Sequence, residues 1–366
     1  MDERIENTYT RSGRIANPTE QVEWKKLGEI CKVQRGKRLT KNLLNENASY
    51  PVFHGGLEPL GRFHQFNREA DTVMVINVGA SAGTVGYSNC QFWSSDGCFC
   101  ISHSELLNNK YLFYYLQTKT HFLQSQVRHA GIPTLDNLVV EKINLPILSL
   151  KEQNRIVGIL DTFMDSIENL KQQIDQRRKQ YEHYRDQLLD LEGKEGVEMK
   201  TIQDVCESNR GVRVIKKELK ESGDFPVFQN SITPMGYYHK CNYKKPTPFV
   251  ITAGAAGEVG FCDTPFWAAD DCLCLTCSEK VLSKYVFYFL SKKNFYLKSK
   301  VRKGAIPRLS RKVVETLIIP IINTELQKVI IKQLDTFEAS ISNLEAQLAQ
   351  RQKQYEYYRN QLLTFE

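Results

Sequence analysis

Residues 156–191 read IVGILDTFMDSIENLKQQIDQRRKQYEHYRDQLLDL, and residues 330–365 read IIKQLDTFEASISNLEAQLAQRQKQYEYYRNQLLTF. In the first stretch the apolar positions are Ile156, Leu160, Phe163, Ile167, Leu170, Ile174, Tyr181, Tyr184, Leu188 and Leu191, spaced alternately by four and three, with Arg177 in the one odd slot. That is a heptad seam, the pattern of a helix that buries one narrow stripe against a partner helix. A shift of 174 residues returns it as Ile330, Leu334, Phe337, Ile341, Leu344, Leu348, Tyr355, Tyr358, Leu362 and Phe365, with Arg351 in the odd slot. Neither copy contains proline, and only Gly158 interrupts helix propensity. The simplest reading is one intramolecular coiled coil with one strand from each half of the chain. Helix one leaves a first domain, the chain enters a second after a short linker, and helix two leaves that second domain. The pair is therefore expected to run antiparallel with a domain at each end, over roughly 54 Å at about 1.5 Å per residue.

Outward from the helices, the rest of the chain is also doubled. Trp24-Lys25-Lys26-Leu27 is answered by Met199-Lys200-Thr201-Ile202, Arg35-Gly36 by Arg210-Gly211, and Tyr50-Pro51-Val52-Phe53 by Phe225-Pro226-Val227-Phe228. Gly83 and Gly86 return as Gly257 and Gly260, Phe92-Trp93 as Phe266-Trp267, and Asp96, Cys98 and Cys100 as Asp270, Cys272 and Cys274. Tyr111-Leu112-Phe113-Tyr114 returns as Tyr285-Val286-Phe287-Tyr288, and Ile132-Pro133 as Ile306-Pro307. Two copies are too few for a solenoid. The fold class is α+β, a tandem duplication of a mixed α/β domain plus a long helix. The expected boundaries are a polar N-terminal arm at 1–23, domain one at 24–150, helix one at 151–192, a linker at 193–198, domain two at 199–324 and helix two at 325–366. Within domain one we expect strands at Ile30–Val33, Pro51–Phe53, Thr72–Asn77 and Phe92–Ile101. A glycine-rich turn at Gly79–Gly86, a helix with its core face at Tyr111–Leu116 and a closing Pro146 complete it.

At 366 residues and 41% hydrophobic content the chain has room for more than one core. No apolar run approaches a membrane span and Met1 to Trp24 is too polar for a signal peptide, so ten cysteines read as reduced thiols in a cytoplasmic protein. The net charge is +7; the helix copies carry −2 and 0, leaving +9 on the globular parts. That distribution points to a polyanion at the domains and to scaffold or protein docking at the helices.

The copies diverge unevenly: 21 of 36 positions are identical between the helices, but only four of 17 between residues 54–70 and 229–245. Shared cations suit phosphate contacts that position without reading sequence: Arg35 and Arg210, Arg38 and Arg213, Lys41 and Lys216. Residues that differ suit contacts to base edges: His54, Glu58, Arg62 and Gln65 against Gln229, Thr233, Tyr237 and Lys240. The segment Ser291 to Lys312 holds nine basic residues and no acidic one, and Lys119 to Thr134, which contains Arg128, is also free of acids. Lys298, Lys300, Arg302, Lys303 and Arg308 in the former and Arg128 in the latter are candidate DNA contacts. Lys37, His64, Asn230 and His239 complete the set.

Several chemical readings compete with bland ones. The Gly79–Gly86 turn lacks the Lys-Ser/Thr ending of a P-loop, and a tight strand turn is the better reading. Cys262, Cys272, Cys274 and Cys277 could hold zinc, but only Cys272 and Cys274 have cysteine counterparts, and one buried strand face explains those. Glu218-Leu219-Lys220 looks like a nuclease fragment, yet its counterpart is Leu43-Leu44-Asn45 and no Pro-Asp partner exists. No adenine-methylation motif of the Asn-Pro-Pro-aromatic type is present. We find no catalytic constellation and no metal site.

The helix ending Arg177-Arg178-Lys179-Gln180-Tyr181-Glu182-His183-Tyr184-Arg185 and its repeat Arg351-Gln352-Lys353-Gln354-Tyr355-Glu356-Tyr357-Tyr358-Arg359 carry a family resemblance. So does the entry Glu152-Gln153-Asn154-Arg155-Ile156-Val157 with Leu160-Asp161-Thr162-Phe163. Together they resemble the specificity subunit of type I restriction–modification systems, over roughly Trp24 to Glu366, in the order target-recognition domain, helix, target-recognition domain, helix. Helix two departs from the pattern by opening with Glu325-Leu326-Gln327-Lys328. The resemblance implies a non-catalytic reader of a bipartite, asymmetric duplex target, one half-site per domain, at a spacing set by the coiled coil. It implies assembly with two methylation subunits and two restriction subunits that act as translocase–nucleases, no membrane, and no cofactor on this chain. S-adenosylmethionine, ATP and Mg are then expected in the partner subunits. The rival reading is a coiled-coil scaffold whose basic domains bind RNA or another acidic partner; a self-contained DNA-modifying enzyme is disfavoured by the missing motifs.

Overall fold

The computed structural model describes residues 22–365; all but the last two residues of the polar arm at 1–23 lie outside them. The chain divides into two compact units, one from the residues up to Leu170 together with those from Gln347, the other Lys171–Ala346. Each unit thus holds one domain, the opening stretch of its own long helix and the closing stretch of the other.

In the first unit β1 (Glu23–Lys26) pairs antiparallel with β9 (Asn144–Ile147), setting Trp24 opposite Pro146. A four-stranded antiparallel sheet runs in the order β2 (Val33–Arg35), β8 (Cys98–Ile101), β5 (Thr72–Ile76), β6 (Val85–Ser88). A second sheet has β3 (Tyr50–Phe53) between antiparallel β4 (Gly61–Phe63) and parallel β7 (Trp93–Ser94). The second unit repeats the plan: β10 (Glu198–Thr201) with β18 (Ile318–Ile321); β11 (Cys206–Arg210), β17 (Cys272–Cys277), β14 (Thr247–Ile251), β15 (Val259–Cys262); and β12 (Phe225–Phe228) between β13 (Gly236–Tyr238) and β16 (Trp267–Ala268).

The central strand β5 is TVMVI, buried at every position because a helix covers one face and the smaller sheet borders the other. That helix, Asn109–Thr118, starts at Asn108, whose Oδ1 accepts from the amides of Lys110 and Tyr111 at 2.8 and 3.1 Å. It buries Tyr111, Leu112, Tyr114, Tyr115 and Leu116. The buried phenols are satisfied: Tyr111 donates to Pro146 O and Tyr115 to Asn144 O, both at 2.9 Å.

Three local expectations are corrected. The stretch read as a strand at Ile30–Val33 begins instead with a helical turn, Leu27–Ile30, and β2 starts at Val33. The cause is a one-sided cap: Glu29 accepts from the Lys26 amide at 3.1 Å, as Asp204 does from Thr201 at 2.9 Å in the second unit. The strand expected over Phe92–Ile101 is broken into β7 and β8 by the corner Ser95-Asp96-Gly97. Gly86, read as part of the turn, lies inside β6, where a Cβ would come within 2.4 Å of Leu57 Cδ2.

The long helices are Leu150–Leu188 and Thr324–Leu363. The first stops short of the expected 192, because Leu189 turns into the core of the second unit and is 3% exposed. In the first unit Ile156, Leu160, Phe163 and Ile167 are buried with Tyr355 and Leu362, and Phe163 stacks on Tyr358 at 5.1 Å and 27°. In the second, Ile330 and Leu334 are buried, and Phe337 stacks on Tyr184 at 5.3 Å and 25°. There Tyr181 donates to Glu338 at 3.2 Å while Arg178 reaches Glu345 at 2.6 Å, so an earlier residue of one helix meets a later residue of the other. The helices pair antiparallel. The odd slot of the seam is filled without an apolar side chain, since the Arg351 guanidinium lies 5.6 Å over the Phe163 ring.

Each domain grips its helix through the same polar joint. Gln153, fully buried, accepts from Asn108 N at 2.8 Å and donates to Leu106 O and Leu148 O at 2.8 and 2.9 Å. Gln327 accepts from Leu282 N at 2.9 Å and donates to Lys280 O and Ile322 O at 3.0 and 2.8 Å. The altered opening of helix two therefore keeps this docking glutamine; of what changed around it, Leu326 is 50% exposed and Val329 52%.

Candidate nucleic-acid interface

The exit of β2 is locked onto the corner between β7 and β8. Gly36 N donates to Cys98 O at 3.0 Å, and a Cβ there would sit 2.2 Å from Ser95 O; at Gly211 a Cβ would sit 2.2 Å from Ala268 O. Only glycine permits this approach. Trp93 Nε1 then donates to Lys37 O at 2.8 Å, and Trp267 Nε1 to Val212 O at 2.8 Å. The clamp fixes the backbone and leaves Arg35, Lys37, Arg38 and Lys41 exposed, with Arg210, Arg213 and Lys216 exposed in the second domain. Arg35 Nε donates to Asp96 O at 2.9 Å, and His54 Nδ1 lies 3.3 Å from Asp96 Oδ1, so the same corner gathers a shared arginine and a variable histidine. In domain two the equivalent corner carries Gln229, whose carbonyl accepts from Cys272 Sγ at 3.3 Å, and Asn230, whose carbonyl accepts from Ala255 N at 2.9 Å.

The variable loop mixes structural and free side chains. Arg62 Nε donates to Ala48 O at 2.5 Å and its terminal nitrogen to Ser49 O, which ties the guanidinium to its own loop. Its counterpart Tyr237 pairs through its backbone with Lys220. Asn67 is bound both ways to Ser94, at 3.0 and 2.7 Å, and Asn242 both ways to Ala268, at 2.8 Å, so these shared asparagines hold the loop. His64, Gln65, His239 and Lys240 are exposed. Sequence reasoning missed Arg68, which donates to Asn67 O at 2.7 Å and to Arg35 O at 3.2 Å and lies beside Cys100. Tyr243, stacked on Phe266 at 5.3 Å and 19°, lies beside Cys274. A cation in one copy and an aromatic in the other, four residues past each shared histidine, was the available signal.

Three amides of the turn after β5 are already bonded within the turn or to β5: Ala82 N donates to Gly79 O at 3.0 Å, Gly83 N to Ile76 O at 2.8 Å and Thr84 N to Ser81 O at 3.0 Å. Gly83, at φ +87°, packs so that a Cβ would lie 2.8 Å from Gln124 N, which makes this a packing turn rather than a phosphate cradle. Beside it, Arg128 and Thr134 exchange backbone hydrogen bonds at 2.8 and 3.1 Å, closing a short hairpin whose Arg128 side chain is 76% exposed. The second domain has the same hairpin at Arg302 and Arg308, flanked by exposed Lys298, Lys300 and Lys303. Gly79 N donates to Pro133 O at 2.9 Å and Gly254 N to Pro307 O at 3.3 Å, so hairpin, glycine turn and variable loop share one edge of each domain.

The cysteines point apart. Cys262 donates to Thr264 O at 3.4 Å, Cys272 to Gln229 O, and Cys277 lies 3.3 Å from Cys206. Burial pushes the thiols of Cys98 and Cys274 up to about 12. Among the described residues no three His, Cys, Asp or Glu side chains converge to hold a metal, and no helix is long and apolar enough to cross a membrane. Glu218 accepts from Tyr238 Oη at 3.2 Å, a loop contact.

The model of the type I restriction modification DNA specificity domain matches this chain twice, over residues 19–177 and 194–352. The chain belongs to that family. A type I restriction enzyme specificity subunit of Haemophilus influenzae is 30% identical over 94% of this chain and 96% of its own. One of Escherichia coli is 25% identical over 94% and 95%. A crystal structure of a type I restriction–modification S subunit from M. genitalium superimposes with a TM-score of 0.72 at 19% identity, covering 96% of this chain and 98% of that one, and shares the fold. As a member of the specificity family this chain recognises DNA and is not itself an enzyme.

Proposed function

We propose that each domain reads one half of a bipartite, asymmetric duplex target and that the paired helices set the spacing between the halves. The observation that carries this is the contrast within one repeat. The joints that dock the helices, Gln153 and Gln327, are the same in both copies, whereas the exposed corner holds His54 in one and Gln229 with Asn230 in the other. Arg35, Arg38 and Lys41, with Arg210, Arg213 and Lys216, grip phosphates and position each domain. His54, Gln65, Gln229, Asn230 and Lys240 read base edges.

The chain works in the cytoplasm with two methylation subunits docked on the nearly neutral helices, and with two restriction subunits. S-adenosylmethionine belongs to the former, ATP and Mg to the latter. The specificity assignment of the relatives and the charge contrast between helices and domains support this. The test is a map of methylated adenines in a cell that expresses this chain with its methylation subunits, repeated after exchanging residues 199–324 for those of a relative. One half of the methylated sequence should change and the other persist. A change in both halves would refute one half-site per domain.

A further inference from the structure

Each hairpin on the recognition edge carries an apolar tip. Ile132 is 70% exposed and Ile306 58%, both followed by proline. These tips are not loose. Besides the hairpin's own pair of bonds, Gly79 N holds Pro133 O and Leu135 N donates to Asn77 O at 2.9 Å. In the repeat Gly254 N holds Pro307 O and Leu309 N donates to Thr252 O at 2.9 Å. A β-branched side chain on a clamped hairpin is stiff and stands in water, an arrangement that intramolecular packing does not explain.

The surroundings identify the occupant. Lys119 to Thr134 contains no acidic residue, and Ser291 to Lys312 carries nine cations without an acid, so a polyanion seats against this edge. The isoleucines are also identical in two copies whose neighbouring variable loops keep four of 17 residues. A side chain that read a base, such as the methyl group of thymine, would be expected to differ with the half-site. One kept in both serves something common to both half-sites.

We propose that Ile132 and Ile306 are apolar wedges that press between stacked base pairs beside each half-site, bending the duplex toward the domain, one wedge per domain. Proteins use isoleucine, leucine and proline in this way, offsetting the unstacking with contacts that the bend brings in. The inference rests on the DNA-reading role of the two domains.

The experiment uses the full chain with its methylation subunits and a duplex carrying the target taken from the methylation map, dye-labelled at both ends. Affinity is read by anisotropy and bending by energy transfer between the ends. Ile132→Ala and Ile306→Ala are each expected to weaken target binding about tenfold, the loss of most of one buried aliphatic side chain, and to lower end-to-end transfer. The salt slope and the methylated sequence should stay as in the parent, because no charge and no base contact is removed. Ile132→Leu and Ile306→Leu should restore both readouts. Because the tips are exposed, thermal melting should be unchanged. Parental affinity and energy transfer in both alanine variants would overturn the wedge. So would relaxed sequence at one target position, which would make the isoleucines base readers. If the parent complex itself does not distinguish target from random duplex, it is the reading of the domains that fails, not the wedge.

Discussion

Tyr114 donates its phenolic hydrogen to Asp161 at 2.6 Å across the junction between a domain helix and the long helix that leaves it. Lys110 closes on the other carboxylate oxygen at 2.7 Å. The repeat rebuilds this with Tyr288 and Lys284 on Asp335, at 2.5 and 2.9 Å. The aspartate of the Leu-Asp-Thr-Phe sequence is thus a mechanical part, fixing the angle at which a domain is carried by its helix.

Tyr114→Phe should therefore cost about 1.5–2 kcal/mol, the lower part of the range for a hydrogen bond to a charged group, with Asp161 retaining Lys110. Gln153→Leu and Gln327→Leu should cost more, about 3 kcal/mol, since each strands one part-buried amide, one part-buried carbonyl and one buried carbonyl. Urea denaturation of the full chain gives both numbers. If the glutamine variants are no less stable than the tyrosine one, the buried amide network does not hold the joint.

A pH-dependent contribution is expected from Glu315, whose carboxyl the Ser208 hydroxyl at 2.5 Å and Arg311 at 2.6 Å hold below its ordinary value. A depressed carboxylate stabilises the fold fully above the unfolded value of about 4.3, and the contribution fades as pH falls through the lower folded one. Glu315→Gln should lower the melting temperature at pH 7 and lose that difference as the medium is acidified toward pH 4 and below. A difference of constant size from pH 7 downward would mean that the carboxylate charge is not involved.

How far the sequence carried this reading can be judged at individual residues. The seam was visible because burial of a stripe imposes a period, and the repeat because Gly83, Gly86 and the Asn67 position each serve packing that both copies need. Tyr114 and Asp161 were visible as repeated residues but not as partners, since a polar contact across 47 positions leaves no periodic trace. The turn at Leu27–Ile30 was hidden because the residue that opens it, Lys26, has no side-chain acceptor to cap a helix, and Glu29 alone holds its amide. At the DNA edge, charge and divergence named the exposed cations. They could not separate Arg62, whose guanidinium serves its own loop, from side chains left free.

The cations of the second hairpin should behave as phosphate contacts. Lys298, Lys300, Arg302 and Lys303 changed together to Ala should weaken binding to target and random duplex alike. Each lost phosphate contact removes about 0.9 from the log–log salt slope, so the slope should flatten by up to about 3.6. Filter binding between low and moderate salt measures it, and an unchanged slope on random DNA would make the segment a solvated face.

The last prediction concerns spacing. Phe163 stacks on Tyr358, so in an antiparallel pair the position seven residues on, Leu170, faces Arg351. A seven-residue heptad inserted after Leu170 and another after Gln350 therefore lie opposite each other. Whole heptads keep both seams in phase, whereas four residues in one strand would introduce a stutter. The pair should lengthen by roughly 10 Å at about 1.5 Å per residue. Along duplex DNA, at about 3.4 Å per base pair, that is up to about three base pairs. Every base-reading corner is untouched, so both half-site sequences should persist while the unspecified gap between them grows by about one to three base pairs. A longer gap also turns one half-site around the duplex axis, so weaker methylation at the new spacing is compatible with the idea. Methylation at the parental spacing with undiminished efficiency is not, and that result in the methylation map would mean the helices do not set the distance.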